Sequence, residues 1–433
     1  MEWYVQGLLV AVAILALLAI RMSLGFVFGV VAAAGILIST GRPNVLIALS
    51  QSLHDMMSDF VLITIPLFVL MAEILSAAGF IPDLYESVEK WTGRLRGSLS
   101  IATIVASAIF AAVCGSSYVT AASLGRMTMP EMLDRGYKKH LAAGSVAAGG
   151  SLGILIPPSL AFVIYGYMSG ASIAALFIAG IVPGLILASL FILCIVVLVK
   201  LFPDIAGTGR IVSMREKLRG SIKLIPIFFL SIVLLGSIYL GVATPAEAAA
   251  VGCIFSLLLC FLYRKLSWEM LLEGARRALA TSGFLLLLMG TAKTLGFMMA
   301  KVGIMYGIQE VLVTLPKWNF LLVLYFTVAI LGLFLEGTSI IVLTTPVFAP
   351  AVAAIGLDLL WYGVILVLFI EIALLTPPVG MNCYIVAEVS KPFGVRLEDV
   401  FKGIAPFLVA LLVAVFLVTL LPDLALWLPS TMH

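Results

Sequence analysis

Charge is what this sequence has least of. Only 11% of its 433 residues are Asp, Glu, Lys or Arg, while 63% are hydrophobic, and the mean hydropathy is +1.22. Soluble domains carry roughly a quarter charged residues. A soluble core could not hide this much apolar surface, so lipid must be the solvent for most of the chain. Histidine is scarcer still: His54, His140 and His433 are the full set. None falls within an apolar run, so the Gly149-x-Ser151-x-Gly153 triplet has no imidazole to activate its serine, which counts against a hydrolase. Walker A, HExxH and dinucleotide-binding patterns are absent, so ATP-driven work would need another subunit. Cys114, Cys194, Cys253, Cys260 and Cys383 lie in apolar stretches without a CxxC pair. They read as packing residues, not as a disulfide framework or zinc site. No basic region precedes Val5–Ile20, which therefore reads as a first membrane span and not as a cleaved signal peptide.

What the chain does have is apolar stretches of spanning length, about 20 residues each. They run Val5–Ile20, Ser23–Ser39, Phe60–Gly79, Ala142–Ser169, Ser172–Val199, Lys223–Gly241, Glu247–Tyr263, Leu279–Ala300, Trp361–Glu388 and Gly403–Leu421. Two more, Leu99–Leu133 and Phe320–Ile355, are too long for one crossing, and small polar residues break each near its middle. If both are re-entrant hairpins and both termini are outside, 20 of the 25 Lys and Arg fall on the cytoplasmic side. That agrees with the positive-inside bias. Arg42, Lys301 and Lys317 fall outside, and Arg126 and Lys293 at membrane depth. Pro82–Ser98, Tyr306–Trp318 and Asn44–Asp59 are amphipathic and read as interfacial helices or plain connectors.

The chain also repeats itself. Gly115-Ser116-Ser117 recurs as Gly337-Thr338-Ser339, Pro157-Pro158 as Pro377-Pro378, Gly180-Ile181-x-Pro183 as Gly403-Ile404-x-Pro406, and Gly79 as Gly303. The order is kept and the offsets run from 220 to 224. The expected fold is an all-α polytopic membrane protein with an inverted structural repeat and two re-entrant helical hairpins. Interrupted helices in inverted halves mark secondary transporters. The expected organisation is a first repeat over 1–200 (hairpin about 99–134), a cytoplasmic linker over 201–223 and a second repeat over 224–433 (hairpin about 320–356).

Backbone groups inside a bilayer must be paired, so a Gly-Ser-Ser or Gly-Thr-Ser break is tolerated only against protein or a cavity. Free carbonyls and hydroxyls there suit a small hard cation, and the following half-helix offers amides to a carboxylate. Cys114–Thr120 and Glu336–Ile341 are therefore the leading site candidates, with a plain kink as the alternative. The double prolines free the carbonyls of Gly153, Ile154, Ala373 and Leu374, as a second cage wall or as a simple kink. Asn382 is an uncommon side chain to strand in lipid. Arg126 either meets a substrate carboxylate, pairs with Glu131 or snorkels. Lys293 has Glu371 and Glu73 as expected ion-pair partners, with a proton relay as the alternative, and Glu336 is open between the same two roles. Thr244-Pro245-x-Glu247 reads as a capped helix start.

These motifs resemble a known family. Gly115-Ser116-Ser117 with Thr120, Gly125, Met129-Pro130-Glu131-Met132 and Arg135-Gly136-Tyr137 is similar to the first hairpin of the large membrane subunit of tripartite ATP-independent periplasmic (TRAP) transporters. Gly150–Ser159, Thr244–Ala249 and Leu375–Asn382 resemble its next helix, its central motif and its second proline motif, and the resemblance covers essentially the whole chain. It implies an elevator-type Na⁺ symporter of carboxylates such as C4-dicarboxylates or sugar acids, in the bacterial inner membrane. Implied partners are a small four-helix membrane subunit, here not fused, and a periplasmic substrate-binding protein; nucleic acid is not among them. One Na⁺ site would use Ser116, Ser117, Gly153, Ile156 and Pro157, the other Gly337, Thr338, Ala373, Thr376 and Pro377. Substrate would lie between the hairpin tips, near Gly115, Tyr118, Arg126, Ser339 and Asn382, with Tyr118 tuning its choice. The competing readings are a stand-alone divalent-anion/Na⁺ symporter, an anion channel and an intramembrane enzyme.

Overall fold

The computed structural model describes residues 2–40, 45–93, 95–207, 212–222, 224–377 and 380–432. Arg42, Asn44, Arg94, Arg210, Lys223, Pro378, Val379 and His433 lie outside these. The described chain is helical, with no strand among the described residues. It begins α1 (Trp3–Ala19), α2 (Leu24–Thr40), α3 (Val45–Met57), α4 (Thr64–Ala77) and α5 (Ile81–Thr92), then α6 (Ser98–Cys114), α7 (Ser117–Asp134), α8 (Lys139–Ser151), α9 (Leu160–Ser169) and α10 (Ile173–Leu201). The short α11 (Met214–Ile222) leads into α12 (Ile225–Tyr239), α13 (Pro245–Leu262), α14 (Trp268–Lys301) and α15 (Ile304–Val313). The chain ends in α16 (Lys317–Gly332), α17 (Gly337–Ala354), α18 (Leu359–Leu375), α19 (Met381–Ser390), α20 (Leu397–Leu420) and α21 (Asp423–Leu426). Six helical stretches among the described residues are long and apolar enough to cross a membrane, or up to seven if α11 and α12 form one bent span.

Both overlong segments fold back on themselves. Ser100, near the start of α6, lies against Met132, near the end of α7, with Oγ 3.9 Å from Sδ. At the same end the Leu99 N–H donates to the Tyr137 hydroxyl (3.1 Å). In the second half Phe320, in the first turn of α16, and Phe348, in the second half of α17, pack edge to face with centroids 6.2 Å apart. Each hairpin finishes in the same C-cap. Gly136 and Gly356 take φ of +80° and +75°, and the next amides, of Tyr137 and Leu357, reach back to the carbonyls of Met132 and Val352. Glycine fits because it alone adopts that left-handed conformation without a Cβ clash.

The halves exchange contacts. The return helix of each hairpin packs on the post-proline helix of the other half, α7 on α19 and α17 on α9. α8 runs along α20, where a Cβ on Gly144 would lie 2.8 Å from Gly403 Cα. Small residues permit such backbone approach where burial of apolar surface gives little drive between helices. The capped start of α13 is as read: Glu247 N–H donates to Thr244 Oγ1 (3.3 Å), and Thr244 N–H to Glu247 Oε2 (2.8 Å).

Three segments depart from the sequence reading. Ala142–Ser169 and Trp361–Glu388 are not continuous spans: α8 stops at Ser151 before Pro157, and α18 stops at Leu375 before Pro377. Proline denies the preceding turn its amide donors. α14 starts at Trp268, well before Leu279, and carries Arg276 and Arg277 on the helix itself. Ser267 caps it there, accepting from the Met270 N–H (3.1 Å).

Candidate functional site

The two hairpin tips meet at one cavity of about 430 Å³. Gly115, Ser116, Ser117 and Tyr118 line it from the first tip, and Glu336, Gly337, Thr338 and Ile341 from the second. Ile154, Leu160 and Ala161 close it near the first proline break, Ile370 and Leu374 from α18, and Ala280, Thr281, Phe284 and Leu285 from α14. Pockets of ~300–1,000 Å³ hold small organic ligands.

At the first tip Gly115 ends α6 with φ +64°. Its carbonyl accepts the Leu160 N–H (3.4 Å), tying the tip to the far side of the double proline. Ser116 is extended and caps no amide with its side chain. Its carbonyl instead accepts the Thr120 hydroxyl (2.8 Å). Ser117 Oγ faces the Ser151 carbonyl (3.4 Å). A Cβ on Gly153 would sit 2.6 Å from the Ser116 oxygen and 2.9 Å from the Ser117 nitrogen, so the 3₁₀ turn Leu152–Ile154 presses directly on the tip. The Ile154 carbonyl, released by the prolines, accepts the Ser159 hydroxyl. Ser116, Ser117 and Gly153 are thus brought together, with Pro157 and a buried Ile156 just beyond the turn.

At the second tip α17 starts at Gly337, with Glu336 at the N-cap position. Glu336 accepts the hydroxyls of Thr338 and Ser339, the latter at 3.1 Å, so its side chain leaves the first amides of α17 uncapped. Gly337 lies where a Cβ would be 2.7 Å from Ile370, which seats the tip on α18. Ala373 packs against Gly332. The Thr376 hydroxyl turns back to the Ile372 carbonyl (2.6 Å), and Pro377 is exposed. Both tips therefore present the N-terminus of an 18-residue helix to the same cavity. Partial positive charge and free amides at such ends attract carboxylates. The nearby carbonyl, hydroxyl and carboxylate oxygens are the donors an alkali cation takes.

Other sequence candidates lie elsewhere. Arg126 is on the exposed face of α7 and does not line the cavity. Glu131 pairs with Arg135 and not with Arg126, and Arg135 also bridges to Glu89 of α5 (2.7 Å). Lys293 reaches neither Glu371 nor Glu73: its ammonium lies over the Tyr167 ring, 6.0 Å from the centroid. Glu73 faces Arg277 (3.9 Å). Glu371 and Asn382 are fully buried, with no hydrogen-bond partner among the described residues on their side-chain oxygens or nitrogen, and neither lines the cavity. The α14 wall was not anticipated. Thr281 and Phe284 sit in the apolar part of α14, and nothing in the local sequence distinguishes them from their neighbours.

Comparison with known proteins agrees with this architecture. Residues 11–424 match the family described as tripartite ATP-independent periplasmic transporter, DctM component. The chain is 33% identical over 395 residues to the C4-dicarboxylate TRAP transporter large permease protein DctM of Pseudomonas aeruginosa, covering 90% of each. It is 30% identical over 423 residues to the sialic acid TRAP transporter large permease protein SiaM of Vibrio cholerae, covering 96% of each. The YdaH transporter of Alcanivorax borkumensis shares the fold at a TM-score of 0.62 and 13% identity, over 90% of this chain and 89% of that one. The chain belongs to the DctM component family of tripartite ATP-independent periplasmic transporters, as a multi-pass large permease.

Proposed function

We propose that this permease carries a small organic carboxylate inward in symport with Na⁺. The observation that carries the reading is the convergence of two uncapped helix N-termini, at Ser117 and Gly337, on one cavity of about 430 Å³. Relatives are named for C4-dicarboxylate and sialic acid transport, which supports a carboxylate as the substrate of this chain. Na⁺ would be held at the first tip by oxygens of Ser116, Ser117, Gly153, Ile156 and Pro157. At the second it would be held by Gly337, Thr338, Ala373, Thr376 and Pro377. Ion binding orders the tips, and ordered tips receive the carboxylate through Gly115 and Tyr118, whereas Ser339 is buried, donates to Glu336 and does not line the cavity. Coupling follows because each ligand favours the arrangement that the other needs. The hairpins and broken helices then move as a body past the remaining helices in an elevator step. A small membrane subunit and a periplasmic binding protein complete the system, which sits in the inner membrane with both termini outside.

The test is uptake of labelled dicarboxylates and sugar acids into proteoliposomes holding the chain, its small subunit and its binding protein, with and without a Na⁺ gradient. Uptake that needs the gradient and all three proteins is expected. Uptake indifferent to Na⁺ overturns the coupling, and uptake by the chain alone favours a stand-alone symporter. Ser117→Ala and Thr338→Ala each remove one hydroxyl oxygen. Each is expected to raise the half-saturating Na⁺ concentration on the order of tenfold, about 1.4 kcal/mol, with the thermal midpoint nearly unchanged.

A further inference from the structure

The short helix α11 joins the halves and divides into three faces by helical periodicity. One face docks on α5. Gly220 is buried there, and its carbonyl accepts the Ser87 hydroxyl (3.0 Å). The Trp91 indole N–H donates to the Ser221 hydroxyl (2.8 Å), and the Lys217 ammonium lies over the Trp91 ring, 5.6 Å from its centroid. The second face is a stripe of Met214, Leu218 and Ile222, four residues apart, with relative exposures of 62%, 57% and 60%. The third carries the exposed Arg215 and Arg219 along the other flank of that stripe. Glu216, the one acid on α11, closes a capping box with Ser213, accepting its N–H (3.1 Å) and its hydroxyl (3.0 Å). Its charge is thereby drawn to the helix N-terminus.

An exposed apolar stripe between cationic flanks is the pattern of a helix lying in a membrane interface. Exposed apolar residues also follow it: Ile225 and Phe229 on α12, which comes next in the chain, and Trp91, which touches α11, are all exposed. Tryptophan favours headgroup depth, and cations next to a span attract anionic lipid. A protein partner fits this stripe less well, because it is only three residues long and is flanked by the Arg215 and Arg219 guanidinium groups and the Lys217 ammonium, which a protein contact would have to desolvate.

We propose that α11 and Trp91 form a binding site for anionic phospholipid headgroups, with Met214, Leu218 and Ile222 dipped into the acyl layer and Arg215, Lys217 and Arg219 on the phosphates. α5 continues through Leu95 into α6, and its Glu89 holds Arg135 at the foot of the first hairpin. The lipid therefore fixes the support on which that hairpin stands.

The full chain, with its native cysteines replaced and Met214→Cys labelled with an environment-sensitive fluorophore, is reconstituted in phosphatidylethanolamine vesicles containing brominated phosphatidylglycerol or brominated phosphatidylcholine. Several-fold stronger quenching by the anionic lipid is expected. The preference should vanish in Arg215→Gln/Lys217→Gln/Arg219→Gln and weaken at high salt. A label on Ile254→Cys of α13, exposed on the apolar surface, should be quenched alike by both lipids in every variant, which separates a lost site from a misfolded chain. Equal quenching of the α11 label by both lipids, or a preference that survives the triple substitution, overturns the proposal. Absence of quenching by either lipid places α11 against water or protein and overturns it equally.

Discussion

At the residue scale the site depends on how closely backbone approaches backbone. Gly153→Ala would set a Cβ against the Ser116 carbonyl and the Ser117 amide, neither of which can rotate away as a side chain would. Overpacking of this kind costs about 1–3 kcal/mol. Uptake is expected to fall steeply, with a lower thermal midpoint that unfolding of the purified chain would register. Glu336 allows a cleaner separation. Glu336→Gln keeps an oxygen to accept from Thr338 and Ser339 but removes the negative charge beside the cavity. Stability should hold while half-saturating Na⁺ rises roughly tenfold, about 1.4 kcal/mol, and a Na⁺ titration of uptake decides this. Ser116, Ser117, Gly337 and Thr338 were legible because small polar residues in an apolar run have few reasons to be there. Arg126 and Lys293 were not, because membrane depth does not tell which way a helix turns a side chain.

The elements follow from punctuation. Gly115, Gly136 and Gly356, each with positive φ, end helices where the reading placed hairpin tips and feet. Pro157 and Pro377 mark where continuous spans had been expected and broken ones stand. Ser159 holds the first break closed. Its hydroxyl caps α9 by accepting the Phe162 N–H (3.5 Å) and donates to the Ile154 carbonyl. Ser159→Ala should cost on the order of 1 kcal/mol for the cap, and more if the partly buried Ile154 carbonyl stays unpaired. Thermal unfolding would read the loss, while Ser159→Thr should retain most of it. The early start of α14 is not legible in hydropathy because its first turns carry charged residues that break the apolar pattern while leaving the helix intact.

For the whole molecule the question is which parts move together. A cysteine pair at Ser100 and Met132, in contact across the first hairpin, should cross-link without loss of uptake if the hairpin travels as a unit. A bifunctional maleimide with a disulfide in its spacer, joining Thr281→Cys on α14 to Thr338→Cys on α17, both on the cavity wall, should arrest uptake until the spacer is reduced. Uptake that survives the second link would remove the elevator step. The sequence by itself determined the solvent, the helical class, the two breaks and the internal repeat, because hydropathy, glycine and proline act within a few residues of themselves. Only the tertiary structure decided that the two tips share one cavity, that α14 walls it, and that α7 and α17 trade partners across the halves. Those contacts join residues more than fifty positions apart, and the helix rotations that make them carry no local signature.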